Sequence, residues 1–381
     1  MNRPASPGGI GSPVERDIVE AWPKTDLHCH LDGSIRRRTL IELAREYHVE
    51  LPSYDETGLT ELLGIGQRRK SLEHYIEGFD LTIKAMQERD ALTRVAYELV
   101  EDAAREHVVY QEVRFSPLFH TSHAMTWSEI VDAVLDGLER GERDFGTRNG
   151  LILMGIRSID PLISSQLAQL TVRYKERGVV GFDLAGAEHA NPAREHREAF
   201  SIISKHNVNC TLHAGEEEGR RSISEALHYC GADRIGQGTK LRDNADLLNY
   251  VNNHRIPLEM CLSSAVQIGS VNDLRNHPFG FYLDFGLRVT LNTDSRLFTG
   301  TTITDELLLA ATTFGLSLVD LENIVINGFK SAFLPYHEKV SLLTDILPRL
   351  GRKVPKHQAL RLAQRAATSP PNHRKSEGGP S

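Results

Sequence analysis

The sequence has no long hydrophobic run, no CxxC pair and no excess of basic residues. Its apolar runs are shorter than the roughly 18 residues that a membrane span needs, and residues 1–15 lack the apolar centre of a signal peptide. The four cysteines are scattered, which is typical of reduced thiols in a cytosolic protein. The formal net charge of −7 argues against nucleic acid or an anionic membrane as a partner, because both bind basic surfaces. These absences predict a cytoplasmic protein.

The composition is that of a globular protein with a substantial core, since 40% of the 381 residues are hydrophobic and 25% are charged. Proline, glycine and serine are concentrated in residues 1–15 and 367–381, which predicts two disordered tails. No low-complexity linker divides residues 16–366, so we expect a single domain between the tails.

Short apolar, β-prone runs recur between the tails, at residues 25–30, 108–115, 151–157, 179–184, 208–213, 234–236, 256–261 and 288–292. Helix-like segments follow them, for example at 195–205, 223–230, 243–254 and 305–314. Runs with little alternation of polar and apolar residues indicate strands buried on both faces, as in a parallel sheet. Eight such βα units in a chain of this size predict an α/β fold, the (β/α)8 or TIM barrel.

A doubly wound open sheet is the alternative fold. Such a sheet normally has a glycine-rich phosphate loop after its first strand, but here that position reads HCHLDG. The barrel is therefore favoured. The segment between the first two predicted strands, residues 34–106, is longer than one crossover helix, and we expect it to add helices over the C-terminal mouth of the barrel.

Histidine and carboxylate side chains stand at the ends of three predicted strands. His28 and His30 lie on one face of the first strand, because strand side chains alternate with period two. His213 ends the fifth strand, and Asp294 follows the eighth. Any one of them could simply cap its strand. Together, at the edge where barrel enzymes hold their catalytic groups, they match a catalytic zinc with a position left for water.

A zinc site that activates water also needs a proton donor that is not a metal ligand. Glu216 lies three residues after His213, just past the strand end, and is the candidate general acid. The run Glu216-Glu217-Glu218 alone is typical of solvated glutamates, and only the spacing from His213 distinguishes the first of them.

With these residues assembled, the chain resembles the adenosine deaminase family of the amidohydrolase superfamily over about residues 24–333. The motifs that carry the resemblance are DLHCHLDGS (26–34), GFDLAGAE (181–188), TLHAGE (211–216), RIGQG (234–238), VTLNTDSR (289–296) and GTTITDE (300–306). The resemblance implies a zinc-dependent deaminase of adenosine or a related 6-aminopurine nucleoside, with one zinc per chain. In that family zinc hydroxide attacks C6 of the purine, a glutamate protonates N1, and ammonia leaves.

The family's functional positions map onto residues of this chain. The residues at the zinc-ligand positions are His28, His30, His213 and Asp294. Glu216 stands at the position of the proton donor. The residues that we expect to bind the substrate are His30, Asp32, Gly186 and Ser295, with Asp32 at the sugar and the backbone of Gly186 at the purine.

Two positions depart from the family's pattern. Gln237 replaces a histidine that orients and deprotonates the attacking water, and a glutamine can hold water but cannot take its proton. Ser295 replaces an aspartate that binds N7 of the purine, and the next residue, Arg296, adds a cation where the family has proline. We therefore assign Glu216, Asp294 and Gln237 to catalysis, with Gln237 as the altered member.

Two functional interpretations remain open. In the first, the protein is a working zinc aminohydrolase with an altered substrate preference, in which Asp294 alone handles the water proton and Arg296 favours a substrate with an extra anionic group. In the second, it is a diverged member that retains zinc and binds a purine-like ligand, but has lost ordinary deamination or runs different chemistry. The retained metal ligands and Glu216 favour the first interpretation, whereas the changes at Gln237 and Ser295 favour the second.

Overall fold

The computed structural model describes residues 14–67 and 78–353 and places eight parallel strands in one sheet. The strands are β1 (Lys24–His30), β2 (Val108–Phe115), β3 (Arg148–Ile156), β4 (Val179–Ala185), β5 (Asn209–Ala214), β6 (Arg234–Gln237), β7 (Leu258–Met260) and β8 (Val289–Leu291). Each strand pairs in parallel with the next one along the chain. The predicted TIM barrel is confirmed. The alternative of a doubly wound sheet is wrong, because the strand order never reverses.

The first strand meets the chain just after the last strand, and this contact closes the barrel. Cys29 forms a parallel β-bridge with Asp294. The backbone N–H of His30 donates to the carbonyl of Asp294, and the N–H of Asp294 donates to the carbonyl of His28, both at 2.8 Å. Two of the predicted metal ligands are thereby held beside a third by backbone hydrogen bonds.

Burial on both faces explains why the sequences of the strands are continuous apolar runs. Every residue of β1 is buried, including charged Lys24 and Asp26, and in β5 only the first residue is exposed. A barrel strand packs one face against the barrel interior and the other against the surrounding helices, so neither face is left for water. The helix Leu318–Ser331, for example, covers β8 and β1 in this way.

Sixteen α-helices lie within the described residues. They are α1 (Arg16–Glu20), α2 (Arg37–Glu46), α3 (Glu56–Leu62), α4 (Phe79–Ala85), α5 (Arg89–Arg105), α6 (Trp127–Phe145), α7 (Pro161–Tyr174), α8 (Arg197–Lys205), α9 (Arg220–His228), α10 (Ala245–Asn253), α11 (Leu262–Gln267), α12 (Phe279–Phe285), α13 (Arg296–Thr299), α14 (Ile303–Phe314), α15 (Leu318–Ser331) and α16 (Tyr336–Arg349). Capping boxes at Thr126, Thr302 and Ser317 start α6, α14 and α15.

The long segment between β1 and β2 supplies helices α2 to α5, as predicted, although its residues 68–77 lie outside the described part. Helix α4 reaches the predicted site. The ring of Phe79 lies 6.5 Å from the ring of His30 and 4.7 Å from that of Phe298, measured between centroids. An apolar side chain of this segment therefore stands beside a predicted metal ligand.

The chain divides into two compact units, with the barrel in the unit that ends at Phe333. In the second unit, which starts at Leu334, the described residues form α16. The predicted tail at 367–381 lies outside the described residues, as does 1–15 except for its last two residues, so the boundaries 16–366 stay a prediction. Across 14–67 and 78–353, none of the helices is both long and apolar enough to span a bilayer.

Candidate active site

The four predicted metal ligands meet at the C-terminal ends of β1, β5 and β8. One ring nitrogen from each of His28, His30 and His213 lies within 4.8 Å of the other two. Nε2 of His30 is 3.3 Å from Nε2 of His213 and 3.6 Å from Oδ1 of Asp294. All four side chains are buried. Residues remote in sequence thus converge on one point, as the barrel topology requires.

The outer ring nitrogens of two of these histidines contact carboxylates. Nδ1 of His28 lies 2.8 Å from Oε2 of Glu259, and Nδ1 of His213 lies 3.0 Å from Oδ2 of Asp183. Each Nδ1 can donate its proton to the carboxylate, which leaves the lone pair on Nε2 for a metal. Nε2 of His28 is buried and has no hydrogen-bond partner within the described residues. This donor set fits a divalent transition metal.

Buried arginines balance the charges of the two supporting carboxylates. Arg114 donates to Asp183 at 2.9 Å and to Glu259 at 2.8 Å, and Arg234 donates to Glu259 at 2.5 Å. Although burial opposes ionisation, His213 and Arg114 lower the pKa of Asp183 below its ordinary value, and the two arginines lower that of Glu259. The lowered pKa values favour the carboxylate form of both groups, which accepts hydrogen bonds from the histidine N–H groups.

Two of the three histidines, His28 and His30, are set up as neutral ligands, whereas the carboxylate of Asp183 raises the pKa of His213 although burial opposes it. Burial, assisted by the charge of Arg114, lowers the pKa of His28 to about 4. Burial also lowers the pKa of His30 well below its ordinary value. A neutral imidazole is the form that binds a metal, because protonation occupies the lone pair.

Glu216 and Asp32 are buried carboxyl groups with raised pKa values. Burial raises the pKa of Glu216 to about 8, with a further contribution from the charge of Glu188. Burial raises the pKa of Asp32 to about 7, and its Oδ1 has no hydrogen-bond partner in the described parts of the chain. Burial thus favours the protonated form of Glu216, which is the state that a general acid needs.

Asp294 receives hydrogen bonds from both residues that depart from the family's pattern. Gln237 donates from Nε2 to Oδ2 of Asp294 at 2.8 Å, and Ser295 donates from Oγ to Oδ1 at 2.9 Å. Gln237 and Asp294 both have left-handed backbones, with φ of 66° and 61°, an unusual conformation that is common at functional sites. Oε1 of Gln237 is buried and accepts no hydrogen bond from a described residue.

Comparison with known proteins decides the family. The family model described as adenosine deaminase matches residues 23–348. The adenosine deaminase of Mycobacterium avium is 39% identical over 355 residues, which cover 88% of this chain and 97% of that protein. This chain belongs to the adenosine deaminase family. By membership it is a hydrolytic deaminase, and enzymes of this family depend on a metal.

Two further proteins are similar to this adenosine deaminase family member. A probable adenosine deaminase of Dictyostelium discoideum is 40% identical over 86% of this chain, which spans only 43% of that protein's length. Among solved structures, Arabidopsis ADAL complexed with GMP has a TM-score of 0.78 and 27% identity, covering 87% of this chain and 98% of that one.

The structure also shows where the remaining predicted residues of this adenosine deaminase family member lie. Gly186 follows β4 with a φ of +106°, which favours glycine, so its backbone is open to a close approach. Ser295 is fully buried, and a Cβ on Gly33 would come within 2.5 Å of its Oγ. The Arg296 side chain lines a surface cleft with Ser34. Burial raises the pKa of Asp26 in β1, and the charge of Arg296 opposes that rise.

Several residues at the site were missed by the sequence reasoning. Asp183 and Glu259 support the histidines, Arg114 joins the two, and Glu188 contacts the loop that carries Glu216. The available signal was a carboxylate inside each of two apolar strands, β4 and β7, since a buried charge needs a partner. Cys261 also lies close to His28 and Asp294, but burial raises the pKa of its thiol well above its ordinary value.

Proposed function

We propose that this protein is a zinc-dependent hydrolytic deaminase of adenosine or a related 6-aminopurine nucleoside, with one zinc per chain. The observation that carries the proposal is the meeting of His28, His30, His213 and Asp294 beside the buried carboxyl group of Glu216. The mycobacterial relative, named as an adenosine deaminase and matched over almost its whole length, supports the substrate class. The purine nucleotide held by the Arabidopsis structure supports a small purine ligand.

The nature of the donors favours zinc among the divalent metals. The three imidazoles are held neutral or hydrogen-bonded to carboxylates, and one carboxylate completes the set. When bound, zinc lowers the pKa of water to about 7 and so supplies a nucleophile at neutral pH. Side chains and backbone groups around the metal site are proposed to bind the purine and to move the protons.

Glu216 is proposed to donate the proton to N1 of the purine. Burial raises its pKa to about 8, and it follows the predicted metal ligand His213 by three residues, just past the end of β5. A donor with a pKa near the working pH transfers its proton most effectively. Protonation of N1 draws electrons from C6 and makes that carbon open to attack.

Gln237 and Asp294 are proposed to hold the attacking water. The amide N–H of Gln237 is used by Asp294, so its Oε1 is left as an acceptor for a water O–H. Although burial opposes it, the neighbouring histidines lower the pKa of Asp294 to about 2, which makes this carboxylate a weak base. We therefore expect water to be well positioned but deprotonated slowly.

The substrate is proposed to lie between Asp32, at the sugar, and the backbone of Gly186, at the purine. Asp32 has a buried oxygen that no described residue binds, suited to a ribose hydroxyl. The hydroxyl of Ser295 donates its hydrogen bond to Asp294, so we expect the contact to N7 that an aspartate makes in the family to be weaker here. His30, beside Phe79, is the fourth member of this pocket.

The competing proposal, a diverged purine-binding protein without ordinary deamination, rests on the absence of a base at Gln237. An ammonia-release assay with adenine, adenosine, deoxyadenosine, AMP and 6-aminodeoxyfutalosine separates the two. Release from at least one compound by zinc-loaded protein is expected. Silence on the whole panel would support the competing proposal.

Metal content provides the second test. Elemental analysis should find close to one zinc per chain, and His213→Ala should empty the site. His206→Ala, a change to an exposed histidine that directly follows α8, should leave the zinc content unchanged. The four cysteines are buried free thiols, which supports our proposal that the protein works in the cytoplasm.

A further inference from the structure

The carboxylate of Glu188, from the loop after β4, binds the neighbouring loop that carries Glu216. The backbone N–H groups of Glu216, Glu217 and Glu218 all donate to Glu188, at 3.2, 3.1 and 2.8 Å. The side chain of Glu217 accepts a hydrogen bond from the N–H of Glu188 at 2.9 Å in return. Four hydrogen bonds thus join the loop after β4 to the loop after β5.

Three successive N–H groups that converge on one anion form a concave anion-binding site of the backbone. Here the anion is a side chain of the protein, because Glu188 is only 2% exposed. A buried carboxylate is costly unless it is hydrogen-bonded, and bonds to an ionised acceptor are about twice as strong as neutral ones. The conformation of residues 216–218 therefore depends on Glu188.

The other end of the same loop is held by an arginine. Nη2 of Arg157, at the end of β3, donates to the carbonyl of His213 at 2.8 Å and to Oγ of Ser222 at 3.2 Å. The chain between the metal ligand and the proton donor is thus fixed at both ends. Lys240 donates to the carbonyl of Glu217 at 2.6 Å, and among the hydrogen bonds of the described residues it is the Glu188 contact that acts on the backbone of Glu216 itself.

We propose that Glu188 is a positioning residue for deamination, which aims the carboxyl group of Glu216 at the purine by binding the backbone of residues 216–218. This inference rests on the proposed function. Glu188 does not touch the predicted metal ligands in any hydrogen bond or ion pair of the described residues, so its loss should misplace the proton donor and leave the metal bound. The negative charge of Glu188 also helps to keep Glu216 protonated.

The variant Glu188→Gln tests the proposal. Glutamine offers one acceptor oxygen instead of two and turns an N–H₂ group toward backbone N–H groups. We expect faster hydrogen exchange at the amides of 216–218, kcat reduced by about ten- to a hundredfold, and KM within about twofold, because a small misplacement of a reacting group is that costly. Zinc content should stay at one per chain.

Glu225→Gln is the matched control. Glu225 is a buried glutamate lining the same cleft as Glu188, but its carboxylate binds Arg194 and Arg221. This change should leave both kcat and the exchange of residues 216–218 as in the original protein. If Glu188→Gln does not fold, Glu188→Asp, which keeps the charge but shortens the reach, is measured with the same readouts and should show a several-fold lower kcat.

The outcomes separate the inference from the proposed function. An active parent protein whose Glu188 variants keep the parent kcat, or lose kcat only together with zinc, overturns the positioning role alone. A zinc-loaded parent that releases no ammonia from any compound overturns the proposed function and, with it, the role of Glu188 in positioning the proton donor for deamination. Hydrogen exchange, which needs no activity, still reports in that case whether Glu188 holds the loop.

Discussion

Gln237 donates a hydrogen bond from its side-chain nitrogen to Oδ2 of Asp294, 2.8 Å away. The contact fixes the orientation of the amide, so the oxygen of Gln237 points away from Asp294 and stays available. A histidine at this place can exchange a proton with water, whereas an amide cannot. The hydrogen bond thus holds Gln237 against Asp294, and position 237 carries no group that can take a proton.

Gln237→His should restore the missing base. A general base contributes about 10²–10⁴-fold to a rate, and we expect kcat on adenosine to rise at least tenfold, as measured by ammonia release. Combining it with Ser295→Asp should raise adenosine turnover further. Gln166→His, on the exposed face of α7, is the control and should change nothing. No gain from the double variant would show that these two positions do not limit adenosine turnover.

Ser295→Ala should weaken metal binding. The change removes the hydroxyl that donates to Oδ1 of Asp294, and residues that orient a metal ligand typically contribute about 10–100-fold to affinity. A competition titration with a zinc chelator should show an affinity loss toward the lower end of that range. The same substitution at exposed Ser204 should have no effect. Equal affinities for both variants would assign Ser295 to substrate rather than to Asp294.

Glu216→Gln should abolish the proton donor. We expect kcat to fall by about 10²–10⁴-fold, since the amide cannot protonate N1. In the unchanged protein the active form is the protonated one, so activity should hold below the raised pKa of about 8 and fall as the pH increases through it. Glu198→Gln, on the surface of α8, should keep the full pH profile. If Glu216→Gln keeps the same loss of activity at high pH, that loss comes from the titration of another group.

Glu259→Gln should lower both stability and metal affinity. Glu259 accepts from His28, Arg114 and Arg234 inside the barrel, and removing one partner of a buried ion pair typically costs about 3–5 kcal/mol. Denaturant unfolding should show this loss, and a zinc titration should show weaker binding. Glu176→Gln, at an exposed position, should leave both measurements unchanged. Retained zinc affinity would mean that His28 is oriented without Glu259.

Much of the fold was predictable because each strand is a short apolar run that ends in a polar turn. The run 108–115 coincides with β2, whereas 256–261 shortens to Leu258–Met260 at both ends. The helix predicted at 305–314 begins two residues earlier, where Thr302 supplies the cap. Sequence alone locates each strand because turns are local, but the exact strand ends depend on pairing with the neighbouring strand.

The convergence of the ligands could be predicted, since all parallel strands of a barrel end at one mouth. The supporting contacts could not. Whether Glu259 faces His28 or the helices depends on strand register, and Asp183 reaches His213 from the preceding strand. The binding of Glu188 to the 216–218 amides depends on the paths of two loops, which composition and periodicity do not specify.

The β-bridge between Cys29 and Asp294 joins the beginning of the ring to its end. Because ligands come from β1, β5 and the turn after β8, no fragment that stops before residue 294 contains the complete set. During synthesis, His28 and His30 are made first, and more than two-thirds of the chain follows before Asp294, the carboxylate ligand, is made. A cation held by these four residues would bridge the junction of β1 and the turn after β8, so cation binding and closure of the barrel would reinforce each other.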